Sequence, residues 1–159
     1  MSPEPGVRWR ALGLGLLLPA CGYALAHKGQ QPLRVAAVRN DTAEAEAGGL
    51  FAGELRSELQ ARGRLAGESA AAPAVEGELL ALRSFTSSLG GDGAQAFRLE
   101  AQVKLRSAGY EDVLAGSEDF LAGVDVLGTE ANRRAALRRV LRRLARELVE
   151  RLEVAGRLR

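Results

Sequence analysis

The sequence predicts an α+β fold: a two-layer sandwich of two helices on an about four-stranded, mostly antiparallel or mixed sheet. Three observations carry that prediction. From Phe97 to Arg106, apolar Phe97, Leu99, Ala101, Val103 and Leu105 alternate with polar Arg98, Glu100, Gln102, Lys104 and Arg106. Period two places one set on a core and the other on water or a polar partner. From Leu137 to Leu152, apolar side chains instead recur at spacings of three and four, the period of an amphipathic helix. The turn signals between such segments set the order β-α-β-β-β-α, which two packed layers accommodate.

The first strand is read at Leu33–Val38, short, apolar and opened by Pro32. Arg39-Asn40-Asp41-Thr42 is read as its stop, because Asn, Asp and Thr bond their own backbone in turns and at helix starts. The first helix is expected from about Ala45 to Ala61, with Leu50, Phe51, Leu55 and Leu59 as its apolar stripe. Glu58 and Arg62 make a favourable i,i+4 pair, and Gly63 is a suitable terminator. A second strand is read at Ala74–Arg83, with Gly77 permitting a bulge or a close approach. Ser87–Ala94, with Gly90-Gly91-Asp92-Gly93, reads as a flexible hairpin connection. After the alternating third strand, Ser107-Ala108-Gly109 turns the chain into a weaker fourth strand, about Val113 to Leu121. The last helix is expected to begin near Thr129, Glu130 and Asn132 and to end at Gly156. Fully burying Leu137, Val140, Leu141, Leu144, Leu148, Val149 and Leu152 is worth roughly 10–20 kcal/mol gross, at about 1.5–3 each. That stripe therefore has to lie on the sheet.

The amino-terminal end has a different character. Arg8 and Arg10 precede the apolar run Ala11–Leu18, and Pro19 and Ala20 lead to Cys21, the single cysteine. A basic region, a short apolar region and a small residue before a cut are the parts of a secretory signal peptide. The apolar run is far short of the roughly 20 residues of a membrane-spanning helix. Leu18-Pro19-Ala20-Cys21 resembles a bacterial lipobox, which implies cleavage after Ala20 and lipid attachment to Cys21. Several acyl chains on one residue anchor firmly, since each buried methylene adds roughly 0.8 kcal/mol. Gly22, in place of an aspartate, leans toward outer-membrane sorting. The organisation expected is a signal peptide at 1–20, a lipidated tether at 21–32 and a single domain at 33–159. With Cys21 acylated, no disulfide or thiolate metal site is expected.

Charge narrows the function. The net charge is +2 over 159 residues, and +1 once Glu4, Arg8 and Arg10 are left out, so bulk nucleic-acid binding is not indicated. Arg133, Arg134, Arg138, Arg139, Arg142, Arg143 and Arg146 crowd the polar side of the last helix. They read either as a phosphate-binding surface, because guanidinium forks suit phosphate geometry, or as a solvated face. No catalytic constellation is visible. His27, the single histidine, lies in the tether, and Glu76 and Glu78 share one exposed strand face. Glu118 and Asp119 point to opposite faces. No cofactor beyond the covalent lipid and no metal are expected.

In order, the lipidated Cys21-Gly22-Tyr23, the strand Leu33–Val38, the Arg39-Asn40-Asp41-Thr42 turn, the helix with Glu54-Leu55-Arg56-Ser57-Glu58-Leu59 and the closing helix from Glu130 to Val149 resemble the LptE family of lipopolysaccharide-assembly lipoproteins. The resemblance implies a non-enzymatic lipoprotein of the outer membrane. It implies a role as plug and assembly factor of an LptD-type β-barrel, assisting lipopolysaccharide delivery to the cell surface. Lipopolysaccharide would meet basic residues, for which Arg98, Lys104, Arg106, Arg138, Arg139, Arg142 and Arg143 are the candidates. The alternative is a small envelope lipid-binding or scaffold lipoprotein unrelated to lipopolysaccharide export.

Overall fold

The computed structural model describes residues 31–68, 71–89 and 95–157. The elements run β1 (Arg34–Val35), β2 (Arg39–Asn40), α1 (Ala47–Ala61), β3 (Ala74–Leu89), β4 (Gln95–Ser107), β5 (Tyr110–Leu121) and α2 (Val126–Arg157). The fold is an α+β sandwich with a mixed sheet in the order β1-β3-β4-β5, and β2 also pairs with β3. β1 and β2 run parallel to β3, whereas β3-β4-β5 form an antiparallel meander.

The first strand is not continuous. Val35 pairs with Val75 and Arg39 with Glu78. The edge chain thus spends four steps where β3 spends three, and the surplus residue loops out as in a bulge. Arg39–Asn40, expected to stop the strand, returns to the sheet as its second piece. The turn chemistry follows at once. Asn40 Oδ1 accepts from Thr42 N at 3.1 Å and from Thr42 Oγ1 at 2.8 Å, and Asn40 Nδ2 donates to Glu44 O at 2.7 Å.

α1 buries Phe51, Leu55 and Leu59 against β3. Gly77 is what lets it settle there. A Cβ on Gly77 would stand 2.9 Å from Val38 Cγ2 and 3.2 Å from both Leu55 Cδ1 and Phe51 Cε1. Of the two roles open to Gly77, close approach is the one used; the register shifts fall at Leu79/Ala81 and Thr86/Ser88. The helix ends as expected, with Gly63 at φ +66°, Gly63 N on Gln60 O and Arg64 N on Leu59 O.

β3 runs on to Leu89, into the stretch expected to be a connection, because Gln95–Phe97 continues the ladder opposite it. Pairing across the sheet outweighs the poor strand propensity of Ser87 and Ser88. β5 likewise begins earlier than expected, at Tyr110, directly after a two-residue turn in which Ala108 (φ 46°) and Gly109 (φ 79°) are both left-handed. That geometry matches the twist of the flanking strands.

α2 starts at Val126, before the expected Thr129. Asp125 is the reason: its Oδ1 accepts from Gly128 N at 2.7 Å, while Thr129 N donates to Asp125 O. Gly156 does not end the helix, which runs to Arg157. All seven side chains of the predicted stripe are buried, together with Ala136 and Ala145. They meet Leu99, Ala101, Val103 and Leu105 of β4 and Leu114 and Phe120 of β5 in one core. Phe97 stacks on Phe120 with ring centroids 5.2 Å apart. Both helices therefore cover one face of the sheet, and among the described residues nothing layers the other.

Candidate functional site

The uncovered sheet face is the first candidate surface, and its composition follows from the alternation of β4. Arg98, Glu100, Gln102, Lys104 and Arg106 stand on it, facing Phe85, Arg83, Ala81, Glu78 and Glu76 of β3 and Asp119, Ser117, Ala115, Val113 and Glu111 of β5. Opposite charges meet across the strands. Arg98 Nε donates to Asp119 Oδ1 at 2.8 Å, Lys104 Nζ lies 2.9 Å from Glu111 Oε1, and Arg106 Nε donates to Glu111 Oε2. The Lys104 and Arg106 hydrogen bonds hold the Glu111 carboxyl below the usual carboxylate range, and Arg98 does the same for Asp119. Such exposed pairs contribute little to stability, because solvent and salt screen them. Small side chains at the centre leave a depression of about 430 Å³ between Ala81, Arg83, Glu100, Gln102, Ala115 and Ser117.

The α2 arginines do not form one cluster. Arg133 and Arg134 reach back over the start of α1: Arg133 Nη2 donates to Glu44 Oε2 at 2.6 Å and its Nε to Glu130 Oε2 at 2.8 Å, while Arg134 lies 3.4 Å from Glu46. The Arg133 hydrogen bond keeps the Glu130 carboxyl below its ordinary range. Arg142 and Arg146 bridge the helices, to Glu54 at 3.1 Å and Glu58 at 3.8 Å. Arg139 and Arg143 turn the other way, to Glu118 at 3.0 and 3.5 Å. Arg138 is exposed and, among the described residues, has no ion-pair partner.

Arg139 and Arg143 have a second task that the sequence did not reveal. Arg143 Nη2 donates to Ser117 O at 2.6 Å, Arg139 Nη2 reaches Asp119 O at 3.5 Å, and Asn132 Nδ2 donates to Leu121 O at 3.0 Å. Those carbonyls belong to the side of β5 that faces away from β4. Three α2 side chains thus cover half of an edge strand, the exposure that sheet proteins must manage against chance pairing.

The candidates Arg98, Lys104, Arg106, Arg139, Arg142 and Arg143 are therefore each already paired with a carboxylate, and an incoming phosphate would have to compete with it. Cys21, Ala20 and His27 lie outside the described residues. Glu118 and Asp119 do point to opposite faces, one to α2 and the other to Arg98. Glu76 and Glu78 sit opposite Arg106 and Lys104. Among the described residues no group of three or more His, Cys, Asp or Glu side chains could hold a metal, and no helix is long and apolar enough to cross a membrane.

A filled helix-on-sheet sandwich with one uncovered, charge-paired sheet face is the class of protein that this architecture defines. The chain belongs to the LptE family, described as lipopolysaccharide-assembly, whose model matches residues 30–152. Among solved structures, a Caulobacter crescentus protein aligns at 16% identity over 76% of this chain and 92% of its own, with a TM-score of 0.50. Rare lipoprotein B from Shewanella oneidensis aligns at 11% identity over 77% and 96%, TM-score 0.49, and a minor lipoprotein from Acinetobacter baumannii at 14% over 80% and 94%, TM-score 0.47. At such identities the likeness is one of fold. No curated protein matches the sequence.

Proposed function

We propose that the chain is an outer-membrane lipoprotein, cleaved after Ala20 and anchored through Cys21, that plugs and helps assemble an LptD-type β-barrel for lipopolysaccharide delivery. Membership of the lipopolysaccharide-assembly family supports the pathway. The observation that carries the plug reading is the uncovered face of β3-β4-β5, a mosaic of paired charges around a small-residue depression. Such a face suits the polar, wet interior of a large barrel. The opposite face, where a lipid carrier would need a large apolar cavity, is filled by Leu137, Leu141, Leu144 and Leu148 against β4 and β5. A non-catalytic role fits the same picture, because Glu44, Glu54, Glu58, Glu111, Glu118 and Asp119 are each engaged by arginine or lysine.

The arginine-lined surfaces remain the place where lipopolysaccharide phosphates would meet the chain, and of the seven candidate residues Arg138 is the one that, among the described residues, has no carboxylate to give up. The test is co-purification. Detergent-solubilised outer membrane should yield a large β-barrel with the tagged chain, and Cys21→Ala should leave the domain folded while lowering barrel assembly. Recovery of no barrel at normal expression would overturn the plug reading.

A further inference from the structure

The two edges of the sheet are treated differently. The outer side of β5 is capped by Arg143, Arg139 and Asn132, which donate to the carbonyls of Ser117, Asp119 and Leu121. β3, at the other edge, is covered only over its first part. β1 and β2 pair with it as far as Leu79, and the last backbone bond there runs from Asp41 N to Leu79 O at 3.0 Å. The chain then leaves for α1, while β3 runs on to Leu89. Beyond Leu79 the outer side of β3 has no strand partner among the described residues.

The register says which groups stand there. Arg34 N, Ala36 N and Asp41 N donate to the carbonyls of Pro73, Val75 and Leu79, so odd-numbered residues face the edge in the first part of β3. The one-residue shift between Leu79 and Ala81 passes that role to Leu82, Ser84 and Thr86. Each turns both its N–H and its C=O outward, at steps of about 6.8 Å. Another extended backbone repeats donors and acceptors at that spacing. Arg83, Ser84, Phe85, Thr86 and Ser87 are all exposed, Phe85 at 44%. Residues 84–87 carry no charge and no proline, the devices by which edges are commonly closed to pairing.

Arg83 and Phe85 share the uncovered face of the sheet, opposite Glu100 and Arg98. Arg98 is held by Asp119 at 2.8 Å, whereas Arg83 has no ion-pair partner among the described residues. A strand laid along this edge places successive same-face side chains beside Arg83 and Phe85. Their complements are a carboxylate and an apolar group. A second copy of the chain, paired edge to edge about a two-fold axis, does not supply the carboxylate, since no residue in 81–87 is acidic.

We propose that the free edge of β3 at residues 82–86 takes up an extended segment of another polypeptide as an added strand, with an acidic residue beside Arg83 and an apolar one beside Phe85. No barrel interior is needed for this, so it stands or falls apart from the plug reading.

The probes are two capped peptides, acetyl-Thr-Glu-Thr-Val-Thr-amide and the reverse order acetyl-Thr-Val-Thr-Glu-Thr-amide. Each is titrated into the chain carrying Cys21→Ala and followed by amide NMR and hydrogen exchange. A parallel and an antiparallel strand call for opposite orders, so the tighter peptide reports the direction. The expected result is saturable one-to-one binding that protects the amides of Ser84 and Thr86, while those of Arg83 and Phe85, which face β4, change little. Lysine in place of the peptide's glutamate should weaken binding about threefold or more, and Arg83→Glu should reverse that preference. Thr86→Pro removes an outward donor without touching the β4 ladder, and should weaken binding about tenfold. Arg83→Glu leaves the backbone unaltered, so the reversal reads the site even where Thr86→Pro fails to fold. Binding of neither peptide, or a preference unmoved by Arg83→Glu, would overturn the proposal. So would protection of Ser84 and Thr86 that grows with chain concentration in the absence of peptide, the mark of a second copy on the edge.

Discussion

Gly77→Ala is the sharpest test of how the layers meet. One added methyl group would place carbon 2.9 Å from Val38 Cγ2 and 3.2 Å from Leu55 Cδ1 and Phe51 Cε1. Phe51 and Leu55 are fully buried, so neither can swing aside into solvent. Overpacking of this kind costs about 1–3 kcal/mol. Replacing a strand glycine returns roughly 0.5–1 kcal/mol through lost unfolded-state freedom. The middle of those ranges leaves about 1 kcal/mol of destabilisation, or a fall in melting temperature of roughly 3–5 °C for a domain of this size. The assay is urea denaturation followed by circular dichroism, with an unchanged m-value as evidence that only stability moved. Val38→Ala removes the closest clash, so the double variant should be less destabilised than the two single effects added. A Gly77→Ala chain as stable as the parent, or one that shows no coupling to Val38→Ala, would refute the claim that α1 seats directly on Gly77.

Arg139→Ala with Arg143→Ala should cost less than ~1 kcal/mol, the scale of exposed ion pairs, yet uncover the Ser117 and Asp119 carbonyls; light scattering should then show increased self-association. Tyr110 should titrate late. Burial first, and its hydrogen bond to Asp112 second, push its hydroxyl up to about 12. Its contribution to stability is present below the ordinary tyrosine value of about 10 and lost as pH rises through the raised one. Absorbance of tyrosinate in a Tyr23→Phe chain reads this directly, and a midpoint near 10 would contradict it. At the acid end the sign reverses. Glu111, Asp119 and Glu130 are held below the usual carboxylate range by Lys104, Arg98 and Arg133 as their leading partners. Their contribution is present above about pH 4 and lost as pH falls through the lowered values, so acid melting curves should also be salt-sensitive.

What could be read in the chain divides by the range of the forces involved. The period-two run of β4 and the three-four stripe of α2 settled the fold class, because a side chain's face in a strand or helix depends only on local backbone geometry. For the same reason, the opposite orientations of Glu118 and Asp119 and the Gly63 stop of α1 were legible. Boundaries set by partners were not. Ser87–Leu89 is strand because Gln95–Phe97 lies opposite it, and Arg39–Asn40 is strand because β3 offers Glu78 and Leu79 for pairing. The earlier start of α2 turned on one side-chain bond from Asp125 to the Gly128 amide, which an aliphatic stretch conceals.

Function divides along the same line. The residues alone determined a lipobox-like Cys21, the want of any visible catalytic constellation and a density of arginine on the last helix. Only the tertiary structure decided what those arginines do. Whether a guanidinium is free for a phosphate depends on which carboxylates other elements bring within 4 Å, and Glu44, Glu54, Glu58 and Glu118 come from α1, its approach and β5. The burial of Arg64 and Ser107 was equally out of reach, since burial is a property of packing between segments far apart in the chain.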